Sequence, residues 1–142
     1  MNFYPPFLGA GIRVSRIGPD RRGFRARLGL HWYNRNYVGT HFGGSLYTMC
    51  DPFFMLILLE ELGPGYVVWD KAASIRFLKP GRGTLTAEFH IPEERLVEIR
   101  RLADTEGKTE PLFSASVRDE GGEEVARVEK VLYVRKREAG AG

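Results

Sequence analysis

A chain of 142 residues and 16.1 kDa has the length of one average domain, which excludes large barrels and leaves little room for a second module. Hydrophobic residues make up 43% and charged residues 27%, with nine Phe, six Tyr and two Trp, enough apolar material for a packed interior and against a disordered chain. A net charge of only +3, with the basic residues spread along the chain, argues against a dedicated nucleic-acid binder.

The single Cys50 closes no intramolecular disulfide and forms no thiolate zinc cage, which points to a reducing cytosol. No metal is expected, because His31, His41 and His90 are widely spaced and none belongs to an H-x-x-x-H or H-E-x-x-H arrangement. Met1-Asn2-Phe3-Tyr4-Pro5-Pro6 lacks the basic start and apolar run of a signal peptide. The most apolar stretch, Pro52 to Leu59, runs into Glu60 and Glu61 and is far short of the roughly 20 residues that span a bilayer. The expectation is a cytoplasmic protein of one domain over residues 1–142, with 138–142 a frayed tail and no membrane partner.

In chain order, the first strand candidate is Ile12 to Ile17, closed by Gly18-Pro19-Asp20. In Gly23 to His31 the apolar set Phe24, Ala26, Leu28, Leu30 alternates with Arg25, Arg27, Gly29, His31, the pattern of a strand with one buried and one wet face. Gly43 to Leu62 is the one long segment without alternation. It is apolar around most of its circumference, which describes a helix buried on nearly all sides and stopped at Gly63-Pro64-Gly65. Tyr66 to Leu78 reads as a longer strand closed by Lys79-Pro80-Gly81, and Thr84 to Ile91 alternates again through Leu85, Ala87, Phe89 and Ile91. A shorter helix over Glu93 to Ala103 follows Pro92, with two acids in its first turn and Leu96, Val97, Ile99 and Leu102 on its apolar side. Phe113, Ala115 and Val117 alternate with Ser114, Ser116 and Arg118, and beyond Asp119-Glu120-Gly121-Gly122 the segment Val125 to Arg137 is the hairpin partner. These elements define an α+β fold, an antiparallel sheet of about six strands wrapped around a long central apolar helix. One curved sheet leaves a face and two edges open, and soluble proteins of this plan cover them by dimerising.

The least generic stretch runs from Asn36 to Asp51. Adjacent Gly43 and Gly44 sit at the entry to the buried helix, where unpaired N–H groups carry positive partial charge; they read either as an oxyanion-holding terminus or as a tight turn needed only for packing. Asp51 follows Gly44 by seven residues, about two helical turns and roughly 10 Å along the axis on nearly the same face. A carboxylate in an otherwise apolar helix must be bonded or placed where it works, since burying it unpaired costs several kcal/mol. It either pairs locally before Pro52, which bends the helix, or acts chemically. In the second case, the distance to Gly44 of its own chain favours a site completed by the facing protomer. Ser45 is not in a G-x-S-x-G elbow and no His stands at triad spacing. Cys50 beside Asp51 reads as an inert core thiol. His41 either orients the loop or touches substrate, or bonds to backbone. Asp70-Lys71 reads as a bonded pair at a dimer seam, and Arg76, Lys79 and Arg82 are either phosphate contacts or solvated surface cations.

Taken together, Asn36-x-x-Gly39 with the glycine turn, the Asp seven positions past Gly44, Phe77-Leu78-Lys79-Pro80 then Gly83-Thr84-Leu85, and Asp119 to Ala126 resemble the hotdog-fold thioesterase superfamily. The resemblance is to its PaaI-type acyl-CoA thioesterases and a related hotdog group of unassigned function, and it covers about Ile12 to Val134. The family's turn reads His-Gly-Gly, whereas Phe42 intervenes here to give His41-Phe42-Gly43-Gly44, with the glycines in register with Asp51. The resemblance implies a hotdog fold whose dimer forms one continuous sheet of about twelve strands, with an acyl tunnel at the interface. It implies an acyl-CoA thioester hydrolase that needs no cofactor, coenzyme A being part of the substrate. The Gly43 or Gly44 amide would polarise the thioester carbonyl, the partner chain's Asp51 would act as general base on water or as nucleophile, and Asn36 would place the water or hold the loop. His41, Ser45, Phe54, Arg76, Lys79 and Arg82 are the candidate substrate contacts. A hotdog protein that binds an acyl thioester or fatty acyl group without cleaving it is the alternative. A hotdog dehydratase or hydratase is a third class, to which His41 is an imperfect fit. The expected partners are acyl-CoA and further copies of the chain, as dimer or dimer of dimers.

Overall fold

The computed structural model describes residues 12–18, 23–29, 50, 52–81 and 83–138. Its elements are β1 (Ile12–Ile17), β2 (Gly23–Leu28), α1 (Phe53–Leu62), β3 (Tyr66–Phe77), β4 (Leu85–His90), α2 (Glu93–Glu106), β5 (Lys108–Thr109), β6 (Leu112–Arg118) and β7 (Glu124–Lys136). The strands form one antiparallel sheet in the order β1-β2-β4-β6-β7-β3, with β5 pairing to β7 beside that path.

Alternation in the sequence becomes the two faces of this sheet. Across the middle, Ala26, Ala87, Val117 and Ala126 stand opposite one another in successive strands and all are buried. Their side chains lie on the inner face, where α1 packs. Phe53 at the start of α1 stacks on Phe89 with ring centroids 4.9 Å apart and lies 5.3 Å from Phe24. Phe54 meets Phe89 edge-on at 5.3 Å and stacks on Phe113 at 4.9 Å. Three strands are thus fastened to one helical turn by aromatic contacts, each worth about 0.5–1.5 kcal/mol beyond area burial. An antiparallel sheet closed over one apolar helix is the hotdog arrangement.

The expected strands all form, within one residue at each end except in β2, which stops at Leu28 with Gly29 already outside it, short of the expected His31. Among the described residues the sheet holds the six expected strands and a seventh, Lys108–Thr109, a short rung on β7. Two residues carry no period, so that strand had no pattern to announce it. The shorter helix runs on to Glu106 and ends where Gly107 takes φ 85°, a left-handed conformation that glycine adopts without a Cβ penalty. Its inward residues are Leu96, Ile99 and Ala103, spaced three and four apart, while Val97 points to solvent. The long helix is also less enclosed than its composition suggests: over the described part Phe53, Phe54, Ile57, Leu58 and Leu62 are buried, but Leu59 and Glu60 are exposed. Expected helix residues 43–49 and Asp51 lie outside the described residues.

Candidate functional site

Among the expected site residues, Asn36, His41, Gly43, Gly44, Ser45, Asp51 and Arg82 lie outside the described residues. Three are placed. Phe54 is buried on the inner face, held between Phe89 and Phe113. Arg76 stands on the outer face of β3, directly across from Arg127 of β7, at a recess of about 310 Å³ lined by Ser74, Ile75, Arg76, Arg127 and Glu129. Arg127 is bound to Glu124, whose carboxylate also accepts a hydrogen bond from Ser116 Oγ. Lys79 lies just past the end of β3, with Nζ 2.9 Å from Asp119 and a second ion pair to Glu123. Phe54 and Arg76 are therefore on opposite sides of the sheet, and Lys79 ties the end of the β3 segment to the turn between β6 and β7.

That turn is built for the purpose. Asp119 Oδ1 accepts from the backbone N–H groups of Gly121 and Glu123, both at 3.0 Å, and Gly122 takes φ 83°. The Lys79 hydrogen bond, followed by that from the Glu123 amide, holds the Asp119 carboxyl below its ordinary value. On the opposite flank Arg16 of β1 donates to Glu60 of α1 from both terminal guanidinium nitrogens, Nη1 at 2.9 Å, and lies 4.8 Å over the Phe24 ring. The hydrogen bond from Arg16 pulls the Glu60 carboxyl down.

The β3 edge is the unfinished part of the molecule. It has twelve residues and, among the described residues, pairs as a strand only with β7, and no residue from Tyr66 to Phe77 is fully buried. On its inner face Ala73 and Phe77 are exposed and Ile75 is half-buried, while the outer face carries Trp69 stacked on Tyr133 with centroids 4.4 Å apart. Asp70 and Lys71 do not bond to each other as expected. The register shifts between Asp70 and Ala72, a bulge at Lys71. Lys71 pairs with Glu110, and Asp70 turns inward with Oδ2 3.2 Å from Lys130 Nζ.

Lys130 is the one buried charged residue among those described, 1% exposed. It was missed in the sequence although its signal is there: the buried phase of β7 runs Ala126, Val128, Lys130, Leu132, Val134, so alternation alone puts this lysine on the inner face. Among the described residues no group of three or more His, Cys, Asp or Glu side chains is placed to hold a metal, and no helix is long and apolar enough to cross a membrane.

A family model described as a domain of unknown function, DUF4442, matches residues 1–134, and the chain belongs to that family. Solved structures share its hotdog fold. A Pseudomonas aeruginosa protein of unknown function, described as a probable thioesterase, superposes with a TM-score of 0.83 at 23% identity, covering 94% of this chain and 88% of that one. A Haemophilus influenzae thioesterase matches with a TM-score of 0.68 at 15% identity, over 99% of this chain and 90% of that one. A Bacillus halodurans protein solved with CoA matches with a TM-score of 0.56 at 19% identity, covering 78% of this chain and 66% of that one. No curated protein matches the chain.

Proposed function

We propose that this protein is an acyl-CoA thioester hydrolase whose site is completed by a second copy of the chain pairing along β3. The observation that carries the reading is the state of that strand: a twelve-residue edge with apolar side chains uncovered on both faces, in a fold whose solved relatives include thioesterases and a protein bound to CoA. An edge of this length left bare invites further pairing, and a second β3 would extend the sheet across the two chains.

In the reaction, Asp51 of one chain takes a proton from water as the water oxygen attacks the thioester carbonyl. The carbonyl oxygen is held by the Gly43 or Gly44 amide of the facing chain, and Asn36 positions the water. The tetrahedral intermediate collapses with cleavage of the C–S bond, the proton passes to the sulfur, and free acid and CoA leave. His41, Ser45 and Phe54 contact the acyl thioester, with Arg76, Lys79 and Arg82 as the cations for the coenzyme's phosphates. No further cofactor enters, and the protein works without a nucleic-acid or membrane partner, in the cytoplasm.

The test is thiol release from a panel of short, medium, long and aromatic acyl-CoA substrates. Wild type is expected to turn over at least one of them, and Asp51→Ala and Asp51→Asn to lose about 100-fold or more in kcat. Equal turnover by wild type and both variants overturns the mechanism. Retained acyl ligand by mass spectrometry with no thiol released marks a binding protein instead.

A further inference from the structure

The outer face of the sheet, turned away from α1, distributes its charge unevenly from one rung to the next. One rung crosses β1, β2 and β4 as Ser15, Arg25 and Glu88, and there the Arg25 guanidinium lies 2.7 Å from the Glu88 carboxylate. The neighbouring rung crosses β1, β2, β4 and β6 as Arg13, Arg27, Thr86 and Arg118, each directly opposite the next, and meets an acid only at Glu124 of β7. Arg127 of β7, 3.0 Å from Glu124, carries the stripe on. All five arginines are exposed. Set against Glu88 and Glu124, they hold as much net positive charge as the whole chain, +3.

A face that only had to be wetted would not need this arrangement. Like charges directly opposite in paired strands are destabilising, and the Arg25 rung shows the compensated alternative two residues away on the same strands. Neither Arg13 nor Arg27 has an ion-pair partner among the described residues, and Arg118 donates to the Gly122 carbonyl at 3.1 Å. Between β4 and β6 the stripe borders a recess of about 370 Å³ lined by Thr86, Glu88, Ser116 and Arg118, room for a side chain reaching in. From β1 to β7 it crosses four strand spacings, about 19 Å at about 4.8 Å each, the length of three to four turns of helix.

The chemistry of the stripe selects its partner. Every cation in it is arginine, whose planar fork meets a carboxylate through two bonds and which is enriched at protein interfaces where lysine is depleted. Glu88 and Glu124 would repel a phosphate backbone or an anionic bilayer, but find partners on a protein that carries both signs. No aromatic side chain stands in the two rungs to stack on a base.

We propose that this stripe docks an acidic protein, seating a row of its carboxylates on Arg13, Arg27 and Arg118. The inference is independent of the hydrolase reading, since it uses neither the residues nor the activity invoked there.

Fluorescence anisotropy of labelled poly-L-glutamate with the full-length protein tests it, beside single-stranded DNA of equal charge and phosphatidylserine vesicles. Poly-L-glutamate is expected to bind more tightly than either. The combined variant Arg13→Gln, Arg27→Gln, Arg118→Gln should weaken its binding about tenfold, and Arg101→Gln, on the exposed side of α2, less than twofold. The combined variant should melt at or above wild type, because an opposed pair of like charges is gone. No binding of poly-L-glutamate, unchanged binding by the combined variant, or tighter binding of DNA or vesicles overturns the proposal. A combined variant that melts well below wild type also overturns it, since the arginines would then serve the fold. Wild type that releases no thiol from any acyl-CoA overturns the hydrolase reading and leaves the docking stripe standing.

Discussion

Strands β4 and β3 are both rich in apolar residues, and only one of them buries what it carries. In β4, Leu85, Ala87 and Phe89 are at most 1% exposed, while in β3 Trp69 is 44% and Phe77 52% exposed. The difference is position in the sheet. β4 has β2 on one side and β6 on the other, whereas β3, among the described residues, has a strand neighbour on one side alone, β7. An apolar residue is buried by its neighbours and not by its own hydrophobicity, so a strand at an edge keeps its apolar surface until another chain covers it.

The sharpest way to break this contrast is in the sealed half. Phe89→Ala removes the ring that both Phe53 and Phe54 pack against, and should cost about 3–5 kcal/mol in urea unfolding. A loss under about 1 kcal/mol would mean that α1 is not anchored by these contacts. In the open half, Phe77→Lys should change the unfolding free energy of the isolated chain by no more than about 0.5 kcal/mol, the usual range for an exposed site. Sedimentation should nevertheless show it as monomer where wild type sediments as dimer or larger. A monomeric wild type would remove β3 as an interface. Trp69→Ala, which loses one stacked partner on the outer face, should cost about 1 kcal/mol.

The smallest effect is electrostatic and concerns the turn that receives Lys79. Asp119 is held below its ordinary value in the folded state, so its pairing contributes stability above the unfolded value and loses it as pH falls through the lower folded one. Carbon NMR should find the Asp119 carboxyl titrating below a model aspartate, and Lys79→Met should move it back up. An unchanged titration in that variant would show that the two backbone amides alone hold the carboxylate.

Much of the fold could be read from the chain. Gly23 to Leu28 and Leu85 to His90 alternate so regularly that both strand and buried face follow from the period of two. Lys108–Thr109 could not be found this way, because two residues have no period and only the groove beside β7 makes them a strand. At the site the balance reverses. The glycine turn and Asp51 stand out as sequence, but they lie outside the described residues. The pairing of Asp70 was misassigned to Lys71, because adjacency in sequence suggested a bond that the bulge between β3 and β7 redirects.

The sequence by itself determined the class of each long element, the inward set of the regularly alternating strands and the apolar helix. All of these depend on periods that local backbone geometry imposes. The tertiary structure alone decided the strand order, and with it which apolar strand became the bare edge. It also brought Lys130 and Asp70 to 3.2 Å across 60 residues of chain. Neither could be read in advance, because a charge or an apolar side chain acquires its energetic meaning from what the fold places beside it.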